Sequence, residues 1–147
     1  MADGFRVSKN HTSQTNFTVD AYSLLTWSTE EFEVGGKFAN DGWIPVPANE
    51  QDSKLVVFGG QIWVAGNGTG NPPNYVAKII KNGYPGDHRI AGIACYGTFP
   101  NSFVIPISGV DMANPGDVYK IWLYATNSMA IVDGHPAHTW WSGAVLP

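Results

Sequence analysis

Residues 25–47 read LTWSTEEFEVGGKFANDGWIPVP, and residues 139–146 read TWWSGAVL. In the first stretch short apolar groups, Thr26-Trp27, Phe32, Phe38 and Trp43-Ile44, are separated by Gly35-Gly36 and closed by Pro45-Val46-Pro47. The second is a compact aromatic run that ends the chain. Neither repeats its apolar positions every three or four residues, as a helix face requires, and both suit extended chain that reverses at glycine and proline. They point to an all-β fold.

The rest of the chain keeps this pattern. Strands are expected at 4–8, 19–27, 36–46, 54–65, 75–81, 89–97, 102–108, 117–126 and 137–146, with no helix of useful length between them. Asn82-Gly83, Asp133-Gly134 and Asn114-Pro115-Gly116-Asp117 supply reversals, because they combine residues that tolerate positive φ with one whose φ is fixed. Seventeen glycines and ten prolines among many Val, Ile, Tyr, Phe and Trp match short strands joined by tight turns, hence a sandwich or barrel. In 119–124, Tyr119, Ile121 and Leu123 share one face by period two and are expected in the core. Lys120, Trp122 and Tyr124 share the other.

A chain of 147 residues, 44% hydrophobic and 13% aromatic, fits one domain with a sizeable core. Only 14% of residues are charged, so aromatic strand faces are left that a second copy would cover; Trp122, Tyr124 and Trp63 are the candidate contact residues. A net charge of −4 with scattered cations argues against nucleic acid and anionic lipid as partners. Cys95 is the single cysteine, so no intrachain disulfide forms; it is expected as a buried thiol in a chain made in a reducing cytoplasm. No stretch approaches a membrane span or a secretory leader, so membrane insertion and secretion are not expected.

Catalytic and metal signatures are weak. His135 and His138 could share a metal on a helix, but Pro136 and the strand after it favour an extended chain on which the two rings face opposite sides, and no carboxylate or cysteine cluster completes a ligand set. Glu30-Glu31 are adjacent on a strand and cannot flank one glycosidic bond. Gly66-Asn67-Gly68-Thr69-Gly70 lacks the lysine of a phosphate loop, and Ser142-Gly143 lacks the surroundings of a nucleophile elbow. No metal, no cofactor and no enzymatic activity are expected.

Phe38 with Trp43-Ile44-Pro45-Val46-Pro47, then Leu55-Val56-Val57-Phe58-Gly59-Gly60-Gln61-Ile62-Trp63, Ala77-Lys78-Ile79-Ile80-Lys81-Asn82-Gly83, Pro115-Gly116-Asp117-Val118-Tyr119 and the closing Trp140-Trp141-Ser142-Gly143-Ala144-Val145-Leu146, resemble in order the tumour-necrosis-factor/complement-C1q-like family. The wording of 25–47 is closest to members from bacteriophages and phage-derived particles. Two departures, the missing Gly-X-Y stalk and Ala48-Asn49-Glu50 after Pro47, speak against complement-type functions. The resemblance implies a two-sheet jelly roll of about ten strands, assembled as a homotrimer, with a pentamer or ring on a larger particle left open.

Alternation of antiparallel strands puts the connections around 10–18, 66–74, 98–101 and 127–138 at one end, and those around 49–53, 83–88 and 110–116 at the other. The first end is rich in groups that pair with sugar hydroxyls or cover a pyranose face. Asn71, Asn74, Tyr75, Phe99, Asn101, Asp133, His135 and His138 are the candidate glycan-binding residues, although each also serves as an ordinary turn residue. The function expected is that of a noncatalytic fibre or spike component of a virion. Such a protein is anchored to another virion protein and attaches to a host cell-surface polysaccharide or receptor. Two other readings stand beside it: a capsid decoration protein that binds only virion partners, and a glycan-cleaving enzyme on the same fold.

Overall fold

The computed structural model describes residues 3–15, 17–65, 74–83, 89–95, 103–126 and 131–147, with the side chains of 89, 91–95 and 103 excepted. Two antiparallel sheets face each other. One contains β1 (Gly4–Ser8), β3 (Thr29–Val34), β6 (Lys54–Ala65), β9 (Phe103–Ala113), β11 (Ile131–Val132) and β12 (Trp140–Val145). Its order is β3-β1-β12-β6-β9, with β11 continuing the β12 side of β6. The other contains β4 (Lys37–Ala39), β5 (Gly42–Ile44), β10 (Tyr119–Ala125), β7 (Tyr75–Lys81) and β8 (Arg89–Cys95), in that spatial order. β2 (Ala21–Leu24) lies beside β10, held by Asp20 N–H to Ala125 O (3.0 Å) and Leu25 N–H to Ile121 O (2.9 Å). This is the two-sheet jelly-roll sandwich expected from the sequence.

Between the sheets the period-two residues interlock. Phe5, Trp43, Phe58, Tyr119 and Trp141 come from five strands and both sheets, and form a continuous aromatic cluster. Phe5 lies 4.6 Å from Trp43 and 4.7 Å from Trp141, and Phe58 lies 4.8 Å from Tyr119. Gly143 is required here: a Cβ at this position would sit 2.7 Å from both Phe5 Cε1 and Trp43 Cζ3. Tyr119, Ile121 and Leu123 are fully buried, as period two dictates.

Two expected boundaries are corrected. The stretch 36–46 is not one strand but a hairpin, β4 and β5, turning at Asn40 (φ 51°) and Asp41 (φ 59°), both left-handed as a two-residue turn requires. Residues 110–113 are not a loop but the end of β9, paired with 54–57 of β6.

Where they are described, the connections sort as expected; 66–73, 84–88, 98–101 and 127–130 lie outside the described residues. At the top lie the ends of β1, β6 and β10 and the start of β7, with 9–15, 17–20 and 131–139; at the bottom lie 45–53 and 114–118 with the end of β7. Asp3 and Pro147 line one bottom groove together.

Candidate functional site at the top of the sandwich

The residues 133–139 form a single turn instead of extended chain. His138 N–H and Thr139 N–H both donate to His135 O, at 2.9 and 3.1 Å, and Asp133 Oδ1 caps the turn by accepting from His135 N–H at 2.7 Å. Pro136 is at home one residue into such a turn, where it has no N–H to satisfy. The expectation that His135 and His138 face opposite sides is therefore corrected: residues three apart in a turn meet, and their rings stack at 4.5 Å.

The stack continues in both directions. Trp63 of β6 covers His138 at 4.0 Å, and His11 packs edge-on against His135 at 5.3 Å. The turn is fastened to β6 by Asp133 N–H to Trp63 O (2.8 Å) and by Gln61 Nε2 to the carbonyls of Ala137 and His138 (3.2 and 3.0 Å). On its other side Gly134 lies so close to Thr12 and Ser13 that a Cβ would fall 2.2 Å from Thr12 C. Among the described residues no group of three or more His, Cys, Asp or Glu converges as a metal would require.

Beneath His11 the chain is pinned by a buried cation. Lys9, only 1% exposed, donates to Gln14 Oε1 (2.7 Å), to Thr26 O and to Thr26 Oγ1 (3.3 Å), so each of its three N–H groups has an acceptor. Gln14 in turn accepts from Thr26 N–H at 3.0 Å and donates to Leu24 O at 2.9 Å. Burial pulls the ammonium down to about 8, against the attraction of Asp41. With the folded value below the unfolded one, the unfolded chain holds the extra proton between these values, so stability rises as pH increases from 8. The gain expected by pH 9.5 is at most about 2 kcal/mol. Above pH 10 the buried Tyr75 and Tyr119, whose folded values are raised by burial, oppose it. Urea titrations across this range should show the rise in the native chain and a flat profile in Lys9→Met.

The other candidate residues are dispersed. Tyr75 is corrected: its ring is fully buried with Ala77 and Ile79, and its hydroxyl donates to Ala65 O at 2.7 Å, so it holds β7 to the end of β6 and presents no face to a sugar. Tyr75→Phe is therefore expected to lose about 1 kcal/mol of stability, read from denaturant midpoints, with no direct effect on ligand binding. Asn74 closes the top, donating its N–H to Thr126 Oγ1 (2.9 Å) and accepting from Thr126 N–H (3.1 Å). Asn71, Phe99 and Asn101 lie outside the described residues, as does the Cys95 side chain.

The three candidate contact residues lie on opposite outer faces. Trp122 and Tyr124 are on the β10 side, where Trp122 borders a groove with Ile80 and Lys120 and Tyr124 packs 5.3 Å from Tyr22. Trp63 is on the first sheet, whose outer surface is distinctive. β9 presents Val104, Pro106, Ser108, Val110 and Met112 outward, with Val110 62% and Met112 51% exposed. In register beside them β6 presents Leu55, Val57, Gly59, Gln61 and Trp63. Next, Trp140, Ser142 and Ala144 of β12 follow. Not one of these carries a charge; the first is Arg6 on β1, paired with Glu31 at 2.6 Å.

No family model and no curated protein matches the sequence. Among solved structures, murine APRIL at pH 5.0 superimposes with a TM-score of 0.71 at 10% identity, over 99% of this chain and 100% of that one. The fold is TNF-like. Eiger TNF from S. frugiperda also matches, with a TM-score of 0.67 and 10% identity over 99% of this chain and 93% of the other. At this identity the likeness concerns backbone alone, and the TNF-like frame serves here to place the histidine turn at one end of a sandwich with an uncharged face along one side.

His11, Lys9 and the cap function of Asp133 were missed in the sequence. The signal for the cap was present, since Asp133 followed by His135-Pro136 is an Asx-type start to a turn. The stacking of His11 depends on contacts far apart in sequence and left no local trace.

Proposed function

We propose that this chain is a noncatalytic recognition module of a bacteriophage or phage-like particle, made in the bacterial cytoplasm. It assembles as a homotrimer through the outer face of β9, β6 and β12, and binds a host cell-surface saccharide with its top. The observation that supports this reading most is the uncharged face. β9, β6 and β12, about 35, 40 and 20 Å long and 4.8 Å apart, present about 450 Å2, in the range of the largest and often functional patch of a soluble monomer. A second copy is the fitting occupant, because below the histidine turn, which covers Trp63 and Gln61, the face is uncharged and continuous, and repeating one chain closes a ring without any other partner. A separate virion protein then serves as the anchor.

The test combines sedimentation of the purified chain with a bacterial-polysaccharide array. A trimer of the 15.9 kDa chain that retains at least one polysaccharide is expected. A monomer at micromolar concentration would remove the assembly, an empty array would remove the saccharide, and polysaccharide cleavage would overturn the noncatalytic assignment.

A further inference from the structure

The histidine turn presents two ring nitrogens of opposite hydrogen-bonding sense. Ala137 N–H donates to His135 Nδ1 at 3.1 Å, so Nδ1 carries the lone pair and the neutral ring holds its proton on Nε2. His138 Nδ1 lies 3.1 Å from Asp133 Oδ1, and because a carboxylate oxygen only accepts, Nδ1 carries the proton and Nε2 the lone pair. Among the described residues no group bonds to either Nε2. His135 is exposed, and the His138 side chain is 36% exposed.

We propose that His135 Nε2–H and His138 Nε2 form a donor–acceptor pair that binds the neutral hydroxyl groups of a saccharide. This rests on the saccharide reading above and names the atoms that carry it. A hydroxyl accepts from His135 Nε2–H and donates to His138 Nε2, either as one group or as two neighbours on a ring. Other ligand chemistries match less well. An ionised carboxylate or a phosphodiester has no hydrogen for His138 Nε2. A metal ion needs two lone pairs on the open side, and that of His135 is turned inward to Ala137. Trp63 under His138 and His11 against His135 fix both rings before any ligand arrives, which limits the rotamer entropy lost on binding. Asp133 is a positioning residue, since its one oxygen both caps the turn and sets the His138 tautomer.

The experiment is long-range 1H–15N NMR of the imidazole rings in the full chain at mildly alkaline pH, followed by titration with methyl glycosides of mannose, galactose and glucose. His135 is expected as the Nε2–H form and His138 as the Nδ1–H form, with the Nε2 signals of both moving with at least one glycoside in the millimolar range. Two Nε2–H rings would overturn the proposal. His138→Phe keeps a ring on Trp63 and should abolish the shift with an unchanged backbone fingerprint. Asp133→Asn should move His138 toward the Nε2–H form and weaken binding about tenfold, the loss of one hydrogen bond's worth of affinity. A glycoside that shifts other residues at the top but not the pair overturns this inference and leaves the saccharide reading standing. No shift anywhere removes both, and equal shifts with N-methylacetamide would reassign the pair to peptide and overturn it as well.

Discussion

Replacing Trp43 by alanine is expected to lower the unfolding free energy by about 4 kcal/mol. Trp43 is fully buried, packs 4.6 Å from Phe5 and 5.8 Å from Phe58, and belongs to the second sheet while both partners belong to the first. Truncation would thus leave a cavity at the point where the sheets meet. The surroundings cannot collapse into it easily, because Gly36 and Gly143 already bring backbone against the indole. Against a total of about 5–15 kcal/mol, this is a large fraction, and the melting temperature should fall by about 10 °C. Trp43→Phe separates packing from polarity. Trp43 Nε1 has no hydrogen-bond partner among the described residues, so the phenyl ring loses only volume and should cost much less than the alanine variant. Equal losses in calorimetry would refute this account of the core.

Val110→Lys carries the second large effect. Val110 is 62% exposed in the isolated chain, so lysine there should change monomer stability by no more than about 0.5 kcal/mol. In the proposed assembly the same side chain sits against a neighbouring copy, and an unpaired ammonium without water costs several kcal/mol. Sedimentation should therefore show a monomer with an unchanged far-ultraviolet spectrum. Val110→Thr, similar in shape and uncharged, should remain assembled. An intact assembly in Val110→Lys would move the contact to another face, of which the surface bearing Trp122 and Tyr124 is the first to examine.

Strands whose large apolar residues alternate were legible from sequence alone. β6 and β7 begin and end where expected, and the two faces of β10 were assigned correctly, because a core residue at every second position leaves a strong local trace. β3 was missed since TEEFEV contributes nothing fully buried: Glu30, Glu31 and Phe32 are exposed, and the strand exists by pairing with β1. An edge strand guarded by glutamates is written for water, not for a core. Tyr75 was misplaced for the opposite reason. It was read as the first residue of a strand with its ring offered to a sugar, although its parity with Ala77 and Ile79 puts it on the buried face.

The candidate site was only partly readable. Asp133, His135 and His138 do come together, but the reasoning from extended chain had separated the two rings. The Asx-capped turn, a matter of one proline and one aspartate, reverses that geometry. Lys9 reads as an ordinary charged residue after a strand, and nothing nearby announces that Gln14 and Thr26 will surround it. Long-range acceptors of this kind become visible only when the chain is folded.

Asp3 and Pro147 share one groove with Lys54 at the foot of the sandwich, and the histidine turn is fastened to Gln61 and Trp63, seven and nine residues further along β6, which puts it about 25–30 Å from that foot. A bead, dye or carrier protein grafted at Asp3 or Leu146 would therefore stand well clear of the histidine turn, which makes this sandwich a convenient scaffold for surface immobilisation.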